Sequence, residues 1–152
     1  MKTVQALVVS AAMATGMAAP ASAATTDPEV VIYRFPGVTN NIGIATVFHC
    51  TNFSGAEETI RFVTRDFDST IKSNATGSIP HLTSVTFATQ VVSAYLNEKD
   101  FGNLVVSQGT TAIAATSINI ICTAMTIDSS AQKPVGVSLR GIRFNPAPGS
   151  QE

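Results

Sequence analysis

Hydrophobic and polar residues alternate with a period of two along most of the chain after residue 28, and a helical period of 3.6 is nearly absent. In the segment 44–53 this alternation places Phe48 and Cys50 on one face, and in the segment 118–127 it places Cys122 on the apolar face. Alternation of this kind is typical of half-buried strands. The segments predicted as strands are residues 29–35, 44–53, 59–67, a short stretch around 71, 82–89, 104–107, 118–127 and 135–144.

Clusters of Gly, Pro, Asn, Asp and Ser separate these segments and predict turns or loops. Residues 73–77, 97–102 and 129–134 are interpreted as loops. Residues 112–115 fit a strand or a helix equally well, and residues 91–96 have no clear pattern. Because the apolar positions change phase within the last predicted strand at Gly141, we expect a β-bulge there. Before the change of phase, Val135, Val137 and Leu139 are expected to point inward.

About eight short strands at roughly ten-residue spacing predict an all-β domain, an antiparallel two-sheet β-sandwich that is immunoglobulin-like in general architecture. A closed barrel is the alternative. The immunoglobulin comparison is limited to the architecture and the cysteine pair, because the buried tryptophan of that pattern has no counterpart in this Trp-free chain.

The first 23 residues have the three parts of a cleavable signal peptide. Lys2 supplies a positive start, an almost uncharged apolar stretch follows, and the sequence Ala-Ser-Ala at 21–23 offers a cleavage site. The expected division is therefore a signal peptide at 1–23, a sandwich domain at 24–144 and a flexible C-terminal tail at 145–152. We expect a secreted or periplasmic protein of bacterial type, with no membrane span in the mature chain.

The two cysteines, Cys50 and Cys122, are expected to form a disulfide, because an even pair in an exported chain favours one. Both lie on the apolar face of their predicted strands. The bridge can therefore join paired strands or facing sheets, and either arrangement leaves no free thiol for catalysis.

Charge excludes one class of partner. Only 12% of the residues are charged and the formal net charge is −1, with no run of Lys or Arg. Nucleic acid binding depends on basic surfaces that contact phosphates, so we do not expect it. A surface of this composition suits an unknown protein or an uncharged ligand.

Metal binding has weak candidates in the sequence. His49 and Cys50 are adjacent on a strand and project to opposite faces, and the other histidine, His81, follows a proline in a turn. Asp66 and Asp68 resemble the start of a calcium loop, but the EF-hand pattern then fails. A calcium site of another type, which would use Asp66, Asp68 and a second loop such as 97–100, is an alternative. The simpler interpretation is an Asp-rich turn whose side chains accept local backbone hydrogen bonds. We therefore assign no metal and no cofactor.

No nucleophile elbow or convincing catalytic set is present, so we do not expect an enzyme. The leading hypothesis is a non-catalytic binding or structural, surface-association module, whose partner adds to an edge strand such as the first. Two alternatives stay open. One is a secreted or periplasmic hydrolase that uses His81 or His49, and the other is a periplasmic metal-binding protein.

Overall fold

A computed structural model of the chain describes residues 29–102 and 104–144. The predicted signal peptide and the predicted tail at 145–152 lie outside these residues. Within them the chain forms ten strands. The strands are β1 (Val30–Asn40), β2 (Ile44–Asn52), β3 (Glu58–Arg65), β4 (Ile71–Ile79), β5 (Ser84–Ala88), β6 (Glu98–Asp100), β7 (Val106–Ala115), β8 (Ile120–Asp128), β9 (Gly136–Leu139) and β10 (Ile142–Arg143).

The strands form two five-stranded sheets that pack as a β-sandwich, which confirms the predicted fold class. Sheet A has the order β10-β1-β7-β3-β4, and sheet B has the order β6-β5-β2-β8-β9. Every pairing is antiparallel except the short parallel contact between β5 and β6. The prediction that the first strand is an edge was wrong, because β1 lies between β10 and β7.

Five phenylalanines fill the space between the sheets. Phe48 of β2 is central, with ring centroids 5.6 Å from Phe35 of β1, 5.5 Å from Phe62 of β3 and 5.9 Å from Phe101, which follows β6. Phe87 of β5 packs 4.3 Å from Phe62. Edge-to-face and tilted ring pairs stabilise a core beyond the burial of their area alone. The inward alternation of β2, β3 and β5 therefore builds one aromatic core that both sheets share.

The disulfide lies inside sheet B. Cys50 of β2 and Cys122 of β8 are directly opposite in the antiparallel register, with Cα atoms 4.2 Å apart, and their sulfurs are bonded. Both side chains are buried in the aromatic core. Of the two arrangements that the sequence allowed, the bridge thus joins paired strands rather than facing sheets.

A second, smaller core lies on the outer face of sheet B. Residues 89–97 cross this face as an irregular segment, of which residues 91–96 had no clear pattern in the sequence. Val92 is buried there against Val47 of β2, Ala88 of β5 and Ile127 of β8. The backbone N–H of Val92 donates to Glu98 Oε1 at 3.0 Å, which holds the segment to the start of β6. This segment consequently covers part of the outer face of sheet B, over Val47, Ala88 and Ile127.

Several predicted boundaries were wrong. Residues 73–77, interpreted as a loop, are the centre of the nine-residue strand β4, which pairs with β3 along its length. β1 continues through Pro36 and Gly37, where the register with β7 shifts and Gly37 takes a φ of +80°. Residues 104–115 contain one ten-residue strand, and the expected loop at 97–102 contains β6. In each case pairing with a neighbouring strand overrides the local turn signals.

Gly141 marks a change of sheet and not a bulge. β9 belongs to sheet B and β10 to sheet A, so the chain crosses from one sheet to the other through Arg140 and Gly141. A β-carbon added to Gly141 would lie 2.5 Å from Phe35 Cζ, so no larger residue fits this crossing without movement of the ring. The change of phase that the sequence shows therefore reflects two different sheets.

The inward orientation predicted for the last hydrophobic segment holds only in part. Leu139 packs against the aromatic core, but Val135 and Val137 are 77% and 70% exposed. Of the ten strands that the structure describes, β9 is outermost in sheet B and pairs only with β8. Val137 shares a face with Leu139, but it lies near the start of this edge strand, where sheet A does not cover it.

Candidate functional site

His49 lies at the middle of β2, on the outer face of sheet B. Its Nδ1 is 3.0 Å from Thr86 Oγ1, and its Nε2 is 3.1 Å from the hydroxyl oxygen of Tyr95. The Tyr95 ring packs edge-on against the imidazole with centroids 4.9 Å apart, and its hydroxyl donates to Met125 Sδ at 3.8 Å. Both imidazole nitrogens are thus engaged by neutral groups, and the contact with Tyr95 holds residues 89–97 to the sheet.

Burial shifts the protonation of this cluster. It lowers the pKa of His49 below its ordinary value of 6.5, and it raises the pKa of the Tyr95 hydroxyl. A neutral imidazole donates through one nitrogen and accepts through the other, which suits a hydroxyl on each side. The arrangement is that of a half-buried histidine in a packing role.

His81 lies in the exposed turn between β4 and β5. Its Nδ1 accepts a hydrogen bond of 3.0 Å from the backbone N–H of Gly55, in the turn between β2 and β3. The two histidines thus contact different elements: His49 contacts Tyr95 and Thr86 on the face of sheet B, and His81 contacts a loop at the end of the sandwich. The structure does not bring them together into one site.

Asp66 and Asp68 organise the turn between β3 and β4. Asp66 Oδ1 accepts from the backbone N–H groups of Phe67, Ser107 and Gln108 at 3.0, 3.1 and 3.4 Å. These bonds connect the turn to the start of β7. Burial by itself raises the pKa of Asp66, but the three N–H donors and the ammonium of Lys72, 3.6 Å from Oδ2, together outweigh it, and the net pKa is lowered.

Asp68 has the same local role. Its Oδ1 accepts from the backbone N–H of Thr70 at 3.0 Å, and this bond is the main cause of its lowered pKa. Among residues 29–102 and 104–144, no group of three or more His, Cys, Asp or Glu side chains is placed to hold a metal ion. The bond of Asp68 to Thr70 and that of Asp66 to Phe67 are those of an Asp-rich turn, whereas Asp66 in addition binds two N–H groups at the start of β7.

The turn between β1 and β2 has an unexpected residue at its tip. Ile42 and Gly43 have φ angles of +50° and +78°, and Asn41 and Ile44 exchange backbone hydrogen bonds of 3.1 and 3.0 Å. Positive φ at both central positions is the geometry of a tight hairpin turn that favours Asn-Gly. A β-branched residue in this region is strained. The Ile42 side chain is nevertheless 93% exposed, so no packing within the described chain offsets the strain.

A groove of about 220 Å³ runs along β7 on the outer face of sheet A. We call it the arginine groove. The register places Ala112 of β7 between Arg34 of β1 and Val63 of β3, and Thr110 between Pro36 and Arg65. Small side chains on β7 therefore form the floor, and longer side chains on both neighbouring strands form the walls.

An ion pair crosses the same face of sheet A further along β7. Arg61 of β3 lies opposite Ala114 of β7, and its Nε is 2.5 Å from Oε2 of Glu29, which precedes β1. The contact is an ion pair without an aligned N–H···O hydrogen bond. The Glu29 carboxylate thus reaches over β7 to a guanidinium on the far side.

The arginine groove was not predicted as a site. The alternation of the segment 59–67 places Arg61 and Arg65 on one face, but the arginine of β1 joins them only through the sheet order, which brings β1 and β3 to opposite sides of β7. The sequence feature that could have indicated this groove is the run of mostly small residues at 110–114, together with arginines in other predicted strands. Because 112–115 could not be assigned to strand or helix, its neighbours could not be identified.

Comparison with known proteins yields no match to a protein-family model, to a curated protein or to a solved structure. Within residues 29–102 and 104–144, no helix is long and apolar enough to cross a membrane.

Proposed function

We propose that the mature chain is an exported, non-catalytic β-sandwich that acts by association, binding an extended segment of another protein along the free edge of β4. Export rests on the signal-peptide pattern at residues 1–23 and agrees with the buried disulfide, since disulfides persist in oxidising compartments. The single observation that carries the proposal is the length and character of β4.

β4 has nine residues, and among the strands in residues 29–102 and 104–144 it pairs only with β3. The other strands at sheet edges are much shorter: β6 has three residues, β9 has four and β10 has two. An edge strand presents a row of backbone N–H and C=O groups that another chain can pair with, and proteins usually shorten, kink or charge such edges. β4 has no proline, and Lys72 is its only charged residue.

The side chains of β4 leave room for an added strand. Ser73, Ala75 and Gly77 face the sandwich interior, in register with Thr64, Phe62 and Ile60 of β3. The opposite face carries short polar groups that are exposed, among them Asn74, Thr76 and Ser78. Since none of these groups is bulky, an extended segment can lie against the edge by β-addition.

The chemistry of β4 also indicates its partner. With one lysine and a row of Ser, Asn and Thr, the edge favours an extended segment that has few charges and residues of high β propensity. This agrees with the low charge of the whole chain, of which 12% is Asp, Glu, Lys or Arg.

Site-specific photocrosslinking of the exported protein tests the proposal. A benzophenone amino acid is placed at Asn74 of β4 and, as the matched control, at Ser138 of the edge strand β9. We expect a covalent adduct from position 74 and none from 138. Mass analysis of the same material should find a chain that begins at Ala24 with one disulfide.

A variant with an added charge on the edge strand β4 is the second part of this experiment. Thr76→Lys adds a charge to the exposed face of β4 without touching the core, and it should abolish the adduct from position 74 while far-UV circular dichroism stays unchanged. An adduct that persists in Thr76→Lys, or equal adducts from positions 74 and 138, would contradict binding along β4.

A further inference from the structure

We infer that the arginine groove is a binding site for a small apolar monocarboxylate. This site lies on the open face of sheet A and is separate from the β4 edge, so it does not depend on the proposed function. The ligand carboxylate would lie against the guanidinium group of Arg65, with Arg34 on the opposite wall. The apolar part of the ligand would rest on Ala112, Val63 and Ile142.

The charge of the groove selects the ligand. Arg65 Nη1 donates to the backbone oxygen of Ser69 at 3.1 Å, which anchors the guanidinium at the end of β3. A guanidinium has five N–H donors, so one bond to Ser69 leaves donors for a carboxylate. Arginine forms two parallel hydrogen bonds with a carboxylate, which makes the pairing both strong and directional.

The molecule already contains one arginine–carboxylate ion pair on this face. Glu29 crosses β7 to the guanidinium of Arg61. Arg61 is two outward-facing positions from Arg65 along β3, with Val63 between them on the same side of the strand. The span is short, because β1 and β3 are separated by one strand and neighbouring strands lie about 4.8 Å apart. A carboxylate that enters beside Arg65 would form a second arginine–carboxylate ion pair on this face.

The size of the groove limits the ligand. Its volume of about 220 Å³ is below the roughly 300–1,000 Å³ of pockets for drug-sized ligands. The lining is mostly apolar apart from the two arginines and the threonines of β7. A single carboxylate on a small aromatic or aliphatic body therefore fits, whereas a polyanion or an oligosaccharide does not.

The test uses benzoate as the probe and benzamide as its neutral isostere. The folded protein, isotopically labelled, is titrated with each and followed by NMR. We expect benzoate to produce saturable shifts of the amide signals of Thr110, Ala112 and Val63, and benzamide to produce none. Equal shifts from both compounds would overturn the inference, because the guanidinium groups would then have no part in binding.

Three variants separate the site from general charge effects. Arg65→Gln should weaken benzoate binding about tenfold, since it removes a charge-assisted pair. Arg140→Gln makes the same change of net charge in the exposed segment between β9 and β10, and it should leave the affinity unchanged. Ala112→Leu raises the floor with both arginines intact and should abolish binding. Equal weakening in Arg65→Gln and Arg140→Gln, in variants whose spectra show the native fold, would contradict the assignment.

Discussion

Gly141 lies directly against the ring of Phe35, at the point where the chain crosses from sheet B to sheet A. A β-carbon at position 141 would approach Phe35 Cζ to 2.5 Å. The ring cannot simply move aside, because it is 1% exposed and packs against Tyr33 and Phe48. The contact therefore ties the path of the last strand to the packing of the aromatic core.

The first prediction concerns this contact. Gly141→Ala should lower the free energy of unfolding by about 2 kcal/mol, because overpacking a filled core displaces neighbouring side chains. Chemical denaturation followed by circular dichroism measures the change. Ser138→Ala, an exposed change on β9 in the same part of the chain, should have almost no effect. A Gly141→Ala protein as stable as the parent would show that the crossing adjusts freely.

The second prediction concerns the disulfide. Cys50 and Cys122 close a loop with a sequence separation of 72, for which chain entropy gives a stabilisation of about 4 kcal/mol. Comparing urea unfolding of the oxidised protein with that of the fully reduced protein measures this difference without a cavity from mutation. Because both sulfurs are buried, reduction should need unfolding conditions. Equal midpoints for the oxidised and reduced forms would contradict the prediction.

The third prediction concerns the strained turn. Ile42→Asn should raise the free energy of unfolding by about 1 kcal/mol, because a left-handed backbone costs a β-branched residue more than it costs asparagine, and Asn-Gly is the preferred pair for this turn. The exposed isoleucine has no packing to lose. Ile42→Val keeps the β-branch and should leave stability nearly unchanged. A loss of stability in Ile42→Asn would show that the isoleucine makes a stabilising contact.

The fourth prediction concerns His49 and pH. Because its pKa is lowered in the folded state, the unfolded chain binds a proton more readily once the pH falls below about 6.5. The contribution of neutral His49 to stability is therefore complete above that value and is lost as the pH decreases toward the folded pKa. Urea unfolding at pH 7.5 and pH 5.0 should show this loss.

His49→Gln removes the titrating group and serves as the comparison. The decrease in stability between pH 7.5 and pH 5.0 should be smaller in this variant than in the parent. An NMR titration of the parent should place the His49 imidazole below 6.5. An imidazole that titrates above 6.5, or an equal pH dependence in both proteins, would contradict the prediction.

The central strands of the fold could be predicted from the sequence, because their alternation matches their surroundings. The inward face of β2 carries Phe48 and Cys50, and these side chains are fully buried as the period of two requires. The cysteine of β8 lies on the matching face. Where one face of a strand is buried in a hydrophobic core, local pattern and tertiary packing agree.

The edges of the fold could not be predicted in this way. β4 consists mainly of Ser, Asn, Thr and Gly, which resemble a loop, and it is a strand because β3 pairs with it. The phase change at Gly141 has the same form as a bulge, and only the three-dimensional path shows that two sheets are involved. The alternation of hydrophobic and polar residues predicts which face of a strand is buried, but it does not predict which strands pair with it.

The candidate sites show the same division. Alternation correctly placed His49 on the outer face of β2, but the partner that covers it, Tyr95, comes from a segment without a pattern. The arginine groove needs residues from β1, β3 and β7, whose adjacency depends on long-range pairing. The direction of an individual side chain could thus be predicted from the sequence, but which side chains meet in one site could not.

The position of β1 in sheet A also affects the order of folding, because its partner strands lie far along the chain. Val30 at its start pairs with Ala115, and Tyr33 pairs with both Ile113 and Arg143. These partners lie about 80 to 110 residues downstream, and proteins dominated by such distant contacts fold slowly, in milliseconds to seconds. If the chain emerges from a translocation channel with its amino end first, β1 has no partner strand until most of the polypeptide has followed. During that time it is accessible to chaperones.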